Sequence, residues 1–188
     1  MRYSYAMSAN ASSTFSHRLA HDGDIPALTL LMEAAIRDLL RPFLTGAQLE
    51  ASFEIMGLDT QLIDDRTYIV VEENGRIAGC GGWSRRATHF GGDHTPGRDA
   101  RPLDPASDAA RVRAMYTHPE FARRGVGRLI LSLCEARAAD AGFASVELVA
   151  TMAGLPLYRA CGYVDVESLE ERSSKGVMVP LMRMRKAL

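Results

Sequence analysis

Apolar residues recur along this chain with two distinct periods, and the change of period marks its elements. After a short mixed run from Phe15 to Ala20 that suits an edge strand, Ile25, Leu28, Leu31, Met32, Ala35, Ile36 and Leu39 step by three and four. That spacing predicts a helix with one buried stripe, with Asp24 as N-cap and an end near Arg41-Pro42, since proline disfavours helix in the residue before it. A second helix is expected from Thr45, where Gln48 completes a capping box and Leu49, Phe53 and Met56 share a face. Thr67 to Glu72 is β-branched and aromatic, Asn74-Gly75 supplies the positive φ of a tight turn, and Arg76 to Ser84 returns as the hairpin partner.

Residues 87–109 hold three glycines and three prolines and hardly an apolar residue, which predicts a long loop inside the domain. Loops of this length are uncommon without a function, and a lid over a cleft is the expectation. Strand Arg111 to Tyr116, a helix from about Gly127 to Ala141 stopped by Gly142, and strand Ser145 to Val149 then form a βαβ unit, whose two strands should lie parallel in one sheet. A short helix around Pro156 to Ala160 and two closing strands, Tyr163 to Glu167 and Val177 to Arg183, complete the order.

Length and composition narrow the function. The 188 residues suit one domain, taken as 15–188, and Met1 to Thr14 reads as a flexible tail. A net charge of −1 removes the basic balance of a general nucleic-acid binder. No apolar run is long enough for a signal-peptide core or a membrane span. Cys80, Cys134 and Cys161 are odd in number with no Cys-x-x-Cys, so neither a disulfide framework nor a zinc finger is indicated and a reducing cytoplasm is expected.

The segment most informative about chemistry is Tyr116-Thr-His-Pro-Glu-Phe-Ala-Arg-Arg-Gly-Val-Gly-Arg128, between a strand end and a helix start. Gly125 and Gly127 let the backbone approach a ligand, the first N–H groups of the helix have no internal acceptor, and Arg123, Arg124 and Arg128 add positive charge: an anion cradle. No Gly-Lys-[Ser/Thr] follows, so it is not a Walker loop, and Ile130 stands where a dinucleotide fingerprint needs its third glycine. A basic turn that only starts a helix is the plainer alternative.

His118-Pro119 with Ala122-Arg-Arg-Gly-Val-Gly127 resembles motif A of the GNAT superfamily of acyl-CoA N-acyltransferases, and Pro156-Leu-Tyr-Arg-Ala-Cys-Gly-Tyr163 resembles its motif B. The order of elements is similar too, from Phe15 to the end. Ala122 replaces the usual Arg or Gln, Thr151 stands where many members carry Asn, and Leu157 replaces the common Phe. The resemblance implies an α/β fold, a GNAT-like mixed central β-sheet flanked by helices, with splayed parallel strands in the middle. It implies acetyl-CoA in the splay as cosubstrate, held by backbone groups of Met115, Tyr116 and Thr117 on the pantetheine and by Arg123, Arg124, Gly125, Val126, Gly127 and Arg128 on the pyrophosphate.

Direct transfer from acetyl-CoA to a primary amine must overcome the charge of the acceptor. An amine of pKa near 10.4 is neutral in only ~1 of 2,500 molecules at pH 7, equivalent to about 4.6 kcal/mol, so a base or a desolvating pocket is required. The resemblance gives Tyr158 to the departing thiolate. For the base, the strand that carries a glutamate in several members carries arginines here, and Glu147 on the neighbouring strand is the substitute. His89, Asp93 and His94 in the loop are further candidates for base or metal ligand, or are simply solvated; no metal is expected, and His17 and His118 read as structural. The acceptor is a small-molecule or peptide amine, with neither nucleic acid nor membrane as partner and a homodimer left open. A catalytically silent acyl-CoA sensor of the same fold and an unrelated nucleotide-binding module are the competing readings.

Overall fold

The computed structural model describes residues 15–95 and 98–188; the tail expected at 1–14 lies outside them. The elements are β1 (Ser16–Leu19), α1 (Ile25–Leu39), α2 (Gly46–Ile55), α3 (Thr60–Asp64), β2 (Tyr68–Glu73), β3 (Arg76–Ser84), β4 (Ala110–Thr117), α4 (Val126–Asp140), β5 (Ser145–Thr151), α5 (Leu155–Ala160), β6 (Val164–Arg172) and β7 (Met178–Ala187). They build one seven-stranded sheet in the order β1-β2-β3-β4-β5-β7-β6. Every neighbouring pair is antiparallel except β4 and β5 in the middle. Among the described residues no helix is long and apolar enough to cross a membrane.

Three helices, not two, precede the hairpin; α3 is five residues long, too short to show a period. Asp24 also departs from expectation. It lies in a 3-10 turn and does not cap α1 with its side chain; its carboxylate instead takes two hydrogen bonds from Arg18, at 2.7 and 2.8 Å, and one from the His21 amide at 2.9 Å. The Arg18 guanidinium holds that carboxyl below the ordinary range. The capping box of α2 is present as read, with the Gln48 amide donating to Thr45 Oγ1 at 3.3 Å and the Thr45 amide donating to Gln48 Oε1 at 3.0 Å. The buried face of α2, however, runs through Ala51, Ser52 and Ile55, because this helix settles on Val179 and Leu181 of β7.

The two sheet faces are covered differently. On one, α4 buries Val126, Ile130, Leu131, Cys134 and Ala138 against Val112, Val146, Leu148 and Met184. On the other, Leu28, Leu31 and Met32 of α1 pack on Tyr68, Val70 and Cys80. A fully buried leucine such as Leu28 contributes about 1.5–3 kcal/mol. The approach of α4 requires small residues on β3: a Cβ on Gly81 would stand 2.6 Å from Ile130 Cγ2 and 2.8 Å from Met115 Cγ.

The centre of the sheet is broken in two ways. Parallel pairing of β4 with β5 stops after Ala110↔Val146 and Arg111↔Glu147. On the other edge of β4 the register shifts, with Cys80 opposite Tyr116 and Gly82 opposite Arg113, so that Gly81 faces both Ala114 and Met115 in a β-bulge. Ala114 has φ 50°, a strained value for a residue with a Cβ. The Tyr68 hydroxyl, itself buried, donates to Ala114 O at 2.8 Å and holds the bulge in place. Past it, β4 and β5 diverge.

Candidate active site

The divergence leaves an opening through the sheet. Its walls are Val112 to Tyr116 of β4 and Leu148, Val149 and Thr151 of β5; the end of α2, residues 89–91 of the loop, Leu181 and Tyr158 close it. The chain folds this way because the parallel pair loses its ladder after two residues. The edge of β4 over Met115, Tyr116 and Thr117 is thereby left without a β5 partner, while Tyr116 and Thr117 stay paired with β3 on the other edge.

The turn before α4 follows the end of β4, with Gly127 beside Thr117 and Leu157. Arg123 (φ 63°) and Gly125 (φ 91°) both take left-handed conformations. Among the described residues no acceptor is found for the amides of Arg123, Arg124, Gly125, Val126, Gly127 and Arg128. Six consecutive free donors at the positive end of a 15-residue helix fit a diphosphate. Val126 is buried and anchors the turn. A Cβ on Gly127 would stand 2.7 Å from Leu157 Cδ2, so α5 abuts the first turn of α4. The three arginines do not act alike. Arg124 is turned away, bound to Glu73 at 2.6 and 3.0 Å and lying over the rings of Phe15 and Phe121 at 5.4 and 5.2 Å. Arg123 and Arg128 are exposed and, among the described residues, bind no carboxylate. His118 is structural, its Nδ1 accepting from the Glu120 amide at 3.2 Å.

Tyr158 projects from the start of α5, its ring over Gly154 and edge-on to Tyr163, with centroids 5.9 Å apart. Tyr158 lines the opening, and among the described residues no hydrogen bond is found for its hydroxyl. Burial pushes its pKa up to about 12, so it is a firmly protonated phenol.

Glu147 is placed elsewhere than the base role requires. It is absent from the walls of the opening, its side chain is 12% exposed, and its carboxylate is held by Arg111 at 2.9 Å, with Arg185 at 3.9 Å. Its carboxylate is thus engaged by guanidinium groups and lies off the walls of the opening. The loop histidines also separate. His94 Nε2 is bonded to Glu54 O at 2.8 Å, and Asp93 accepts from the Thr60 amide at 3.0 Å, so both tie the loop to α2 and α3. His89 lines the opening, and its Nδ1 is buried without a partner among the described residues. Burial first, and then the Arg111 charge, hold its pKa below the ordinary value, so it is neutral at pH 7. Among the described residues no group of three His, Cys, Asp or Glu side chains could hold a metal ion.

The loop over residues 87–109 is fastened at several points. Arg86 pairs with Asp65 at 2.7 Å, Ala87 N donates to Arg101 O at 3.0 Å, and Thr88 Oγ1 donates to Asp99 O at 2.7 Å. The strongest tie was not foreseen. Asp59, fully buried, meets Arg113 at 2.6 Å and Arg98 at 2.7 Å, and Arg113 also donates to Gly91 O at 3.1 Å. An arginine within an apolar strand demands a buried carboxylate, but nothing in the spacing says which one.

The GNAT acetyltransferase family model matches residues 33–163. No curated protein matches this chain. Among solved structures, a GCN5-related N-acetyltransferase from Rhodopseudomonas palustris is similar with a TM-score of 0.70 at 17% identity, covering 94% of this chain and 97% of the other. The PaiA N-acetyltransferase of Thermoplasma acidophilum, solved with coenzyme A, gives 0.62 at 10% identity, covering 93% and 99%. YncA, a putative acetyltransferase of Salmonella typhimurium solved with acetyl-CoA, gives 0.60 at 20% identity, covering 93% and 94%. The sheet order, the central splay and a family match spanning well over half the sequence agree: this chain belongs to the GNAT family of acetyltransferases.

Proposed function

We propose that the protein transfers an acetyl group from acetyl-CoA directly to a primary amine of a small molecule or peptide. The observation that carries this reading is the row of free amides from Arg123 to Arg128 opening onto a splay whose wall bears an unpartnered phenol, Tyr158. The amides and the exposed Arg123 and Arg128 receive the pyrophosphate, and the edge of Met115 to Thr117 pairs with the pantetheine amides, which lays the thioester at the bulge. The cosubstrate supplies the activated acetyl group. Tyr158 stays protonated at neutral pH and donates to the departing sulfur, whose free thiol pKa lies near 8.5. The apolar walls, Val112, Leu148, Val149 and Leu181, exclude water and so disfavour the charged form of the amine.

Calorimetry with CoA, ATP and NAD, followed by thiol release from acetyl-CoA on addition of primary amines, tests the reading. Binding of CoA alone and amine-dependent release are expected. Equal affinity for ATP, or CoA binding without release by any amine, would overturn it.

A further inference from the structure

Two proton acceptors are ruled out by position: Glu147 is held by Arg111 off the opening, and Asp93 is engaged in the loop. Of the side chains that line the opening, His89, Arg113, Tyr116 and Tyr158 carry protons that matter. Arg113 is paired with Asp59 and, although burial lowers its pKa, a guanidinium is no proton acceptor; both phenols are pushed upward by burial. That leaves one imidazole.

The sides also differ. Arg111, Arg113, Glu147 and Arg183 alternate along their strands with Val112, Leu148 and Met184, which lie in the core beneath α4, so the charged side chains occupy the opposite face. His89 lines the opening together with Arg113 and lies within electrostatic reach of Arg111, Glu147 and Arg183, whereas Tyr158 packs against the α4 core with Cys161. The opening joins the two faces. The His89 Nδ1 is buried without a partner among the described residues, whereas Nε2 is not among the buried unpartnered atoms and takes no side-chain hydrogen bond there, so Nε2 is the nitrogen left for an incoming amine.

We propose that His89 is the general base, receiving the acceptor amine from the α2 face while Tyr158 meets the thioester sulfur from the α4 face. This rests on the transfer reading above. The imidazole takes one proton from the ammonium; the freed lone pair attacks the thioester carbonyl, and the C–S bond breaks as Tyr158 gives its proton to sulfur. The second proton of the amine nitrogen restores the Tyr158 phenol, and the proton on His89 leaves to solvent. One amide and one thiol form, with one net proton released. Because burial, and after it the Arg111 charge, disfavour the imidazolium of His89, its basic form persists through neutral pH and is lost on acidification.

The test is thiol release with benzylamine and glycinamide as probes across pH 5–9, for the parent, His89→Gln and His89→Ala. In the parent, kcat/KM for the amine rises with pH through an apparent pKa below 6.5. His89→Gln is expected to lose that limb and about 10²–10⁴-fold in kcat, with the KM of acetyl-CoA within about twofold, and added imidazole to restore part of the rate of His89→Ala. A folded variant within about twofold of the parent, keeping the acid limb, would overturn the assignment alone. Parent protein inert to every amine would overturn the transfer reading and the base together. NMR titration of the parent needs no variant: a His89 ring still protonated at pH 7 would overturn the assignment.

Discussion

Replacing Asp59 by Asn changes one buried charge and almost no volume. The Arg113 side chain is 2% exposed and Asp59 fully buried, whereas Arg98 is 22% exposed and has Asp93 at 3.7 Å as a second partner. The variant therefore strands Arg113, which keeps only its bond to Gly91 O. Removing one partner of a buried ion pair costs about 3–5 kcal/mol. At 2–4 °C per kcal/mol for a chain of this size, Tm should fall by about 6–20 °C. Urea unfolding monitored by circular dichroism reads the same loss. Asp165→Asn, which breaks an exposed pair with Arg159, is the control and should leave Tm nearly unchanged. The double variant Asp59→Leu/Arg113→Met, with no charge left to strand, should recover most of the loss. An Asp59→Asn loss below about 1 kcal/mol would refute the reasoning, because it would mean that water reaches Arg113.

Gly127→Glu should abolish CoA binding in calorimetry with the fold retained, since it puts a negative group beside the free amides; unchanged affinity would remove the cradle from the site. Tyr158→Phe should lower kcat by about 10²-fold with acetyl-CoA affinity little changed, and turnover within twofold under rate-limiting chemistry would reduce Tyr158 to packing. Asp93→Ala, which frees the loop from the Thr60 amide, should raise the KM of the amine more than that of acetyl-CoA; equal effects would count against a loop that shapes the acceptor side. Burial pushes the Cys80 and Cys134 thiols up to about 12, so at pH 8 only ~1 in 10⁴ is thiolate, and a disulfide reagent should titrate the partly exposed Cys161 alone in the folded protein.

Elements with a sustained period were legible: the stripe of α1, the Asn74-Gly75 hairpin and the strand-helix-strand around the glycine turn all stand where periodicity puts them. The turn of the proposed cradle also stands where its two glycines announce it, between the end of β4 and the start of α4. What escaped was pairing across distance. Asp24 carries every mark of an N-cap, yet a guanidinium six residues upstream competes for it and wins with two charge-assisted hydrogen bonds. Glu147 looked available because its partner, Arg111, becomes its neighbour only through the parallel register. Asp59 sits just before a five-residue helix with no signature of its own, and its role exists only once residues 98 and 113 converge. A one-dimensional pattern reports faces and turns, and these ties are properties of the closed chain.

Two register pairs are all that join β4 to β5, and that has a mechanical consequence. The sheet is hydrogen-bonded as two panels, β1 to β4 and β5 to β7, meeting at a short hinge, and α4 acts as a splint across the seam by packing on Val112 of one and Val146 and Leu148 of the other. Amides facing the seam should exchange with solvent well ahead of those in the interior of either panel. A molecule seated in the gap would complete the ladder on both edges and weld the panels into one cooperative unit. At a concentration of 100 times its Kd such a ligand adds about 2.7 kcal/mol to global stability, but its effect on protection should be concentrated along the seam.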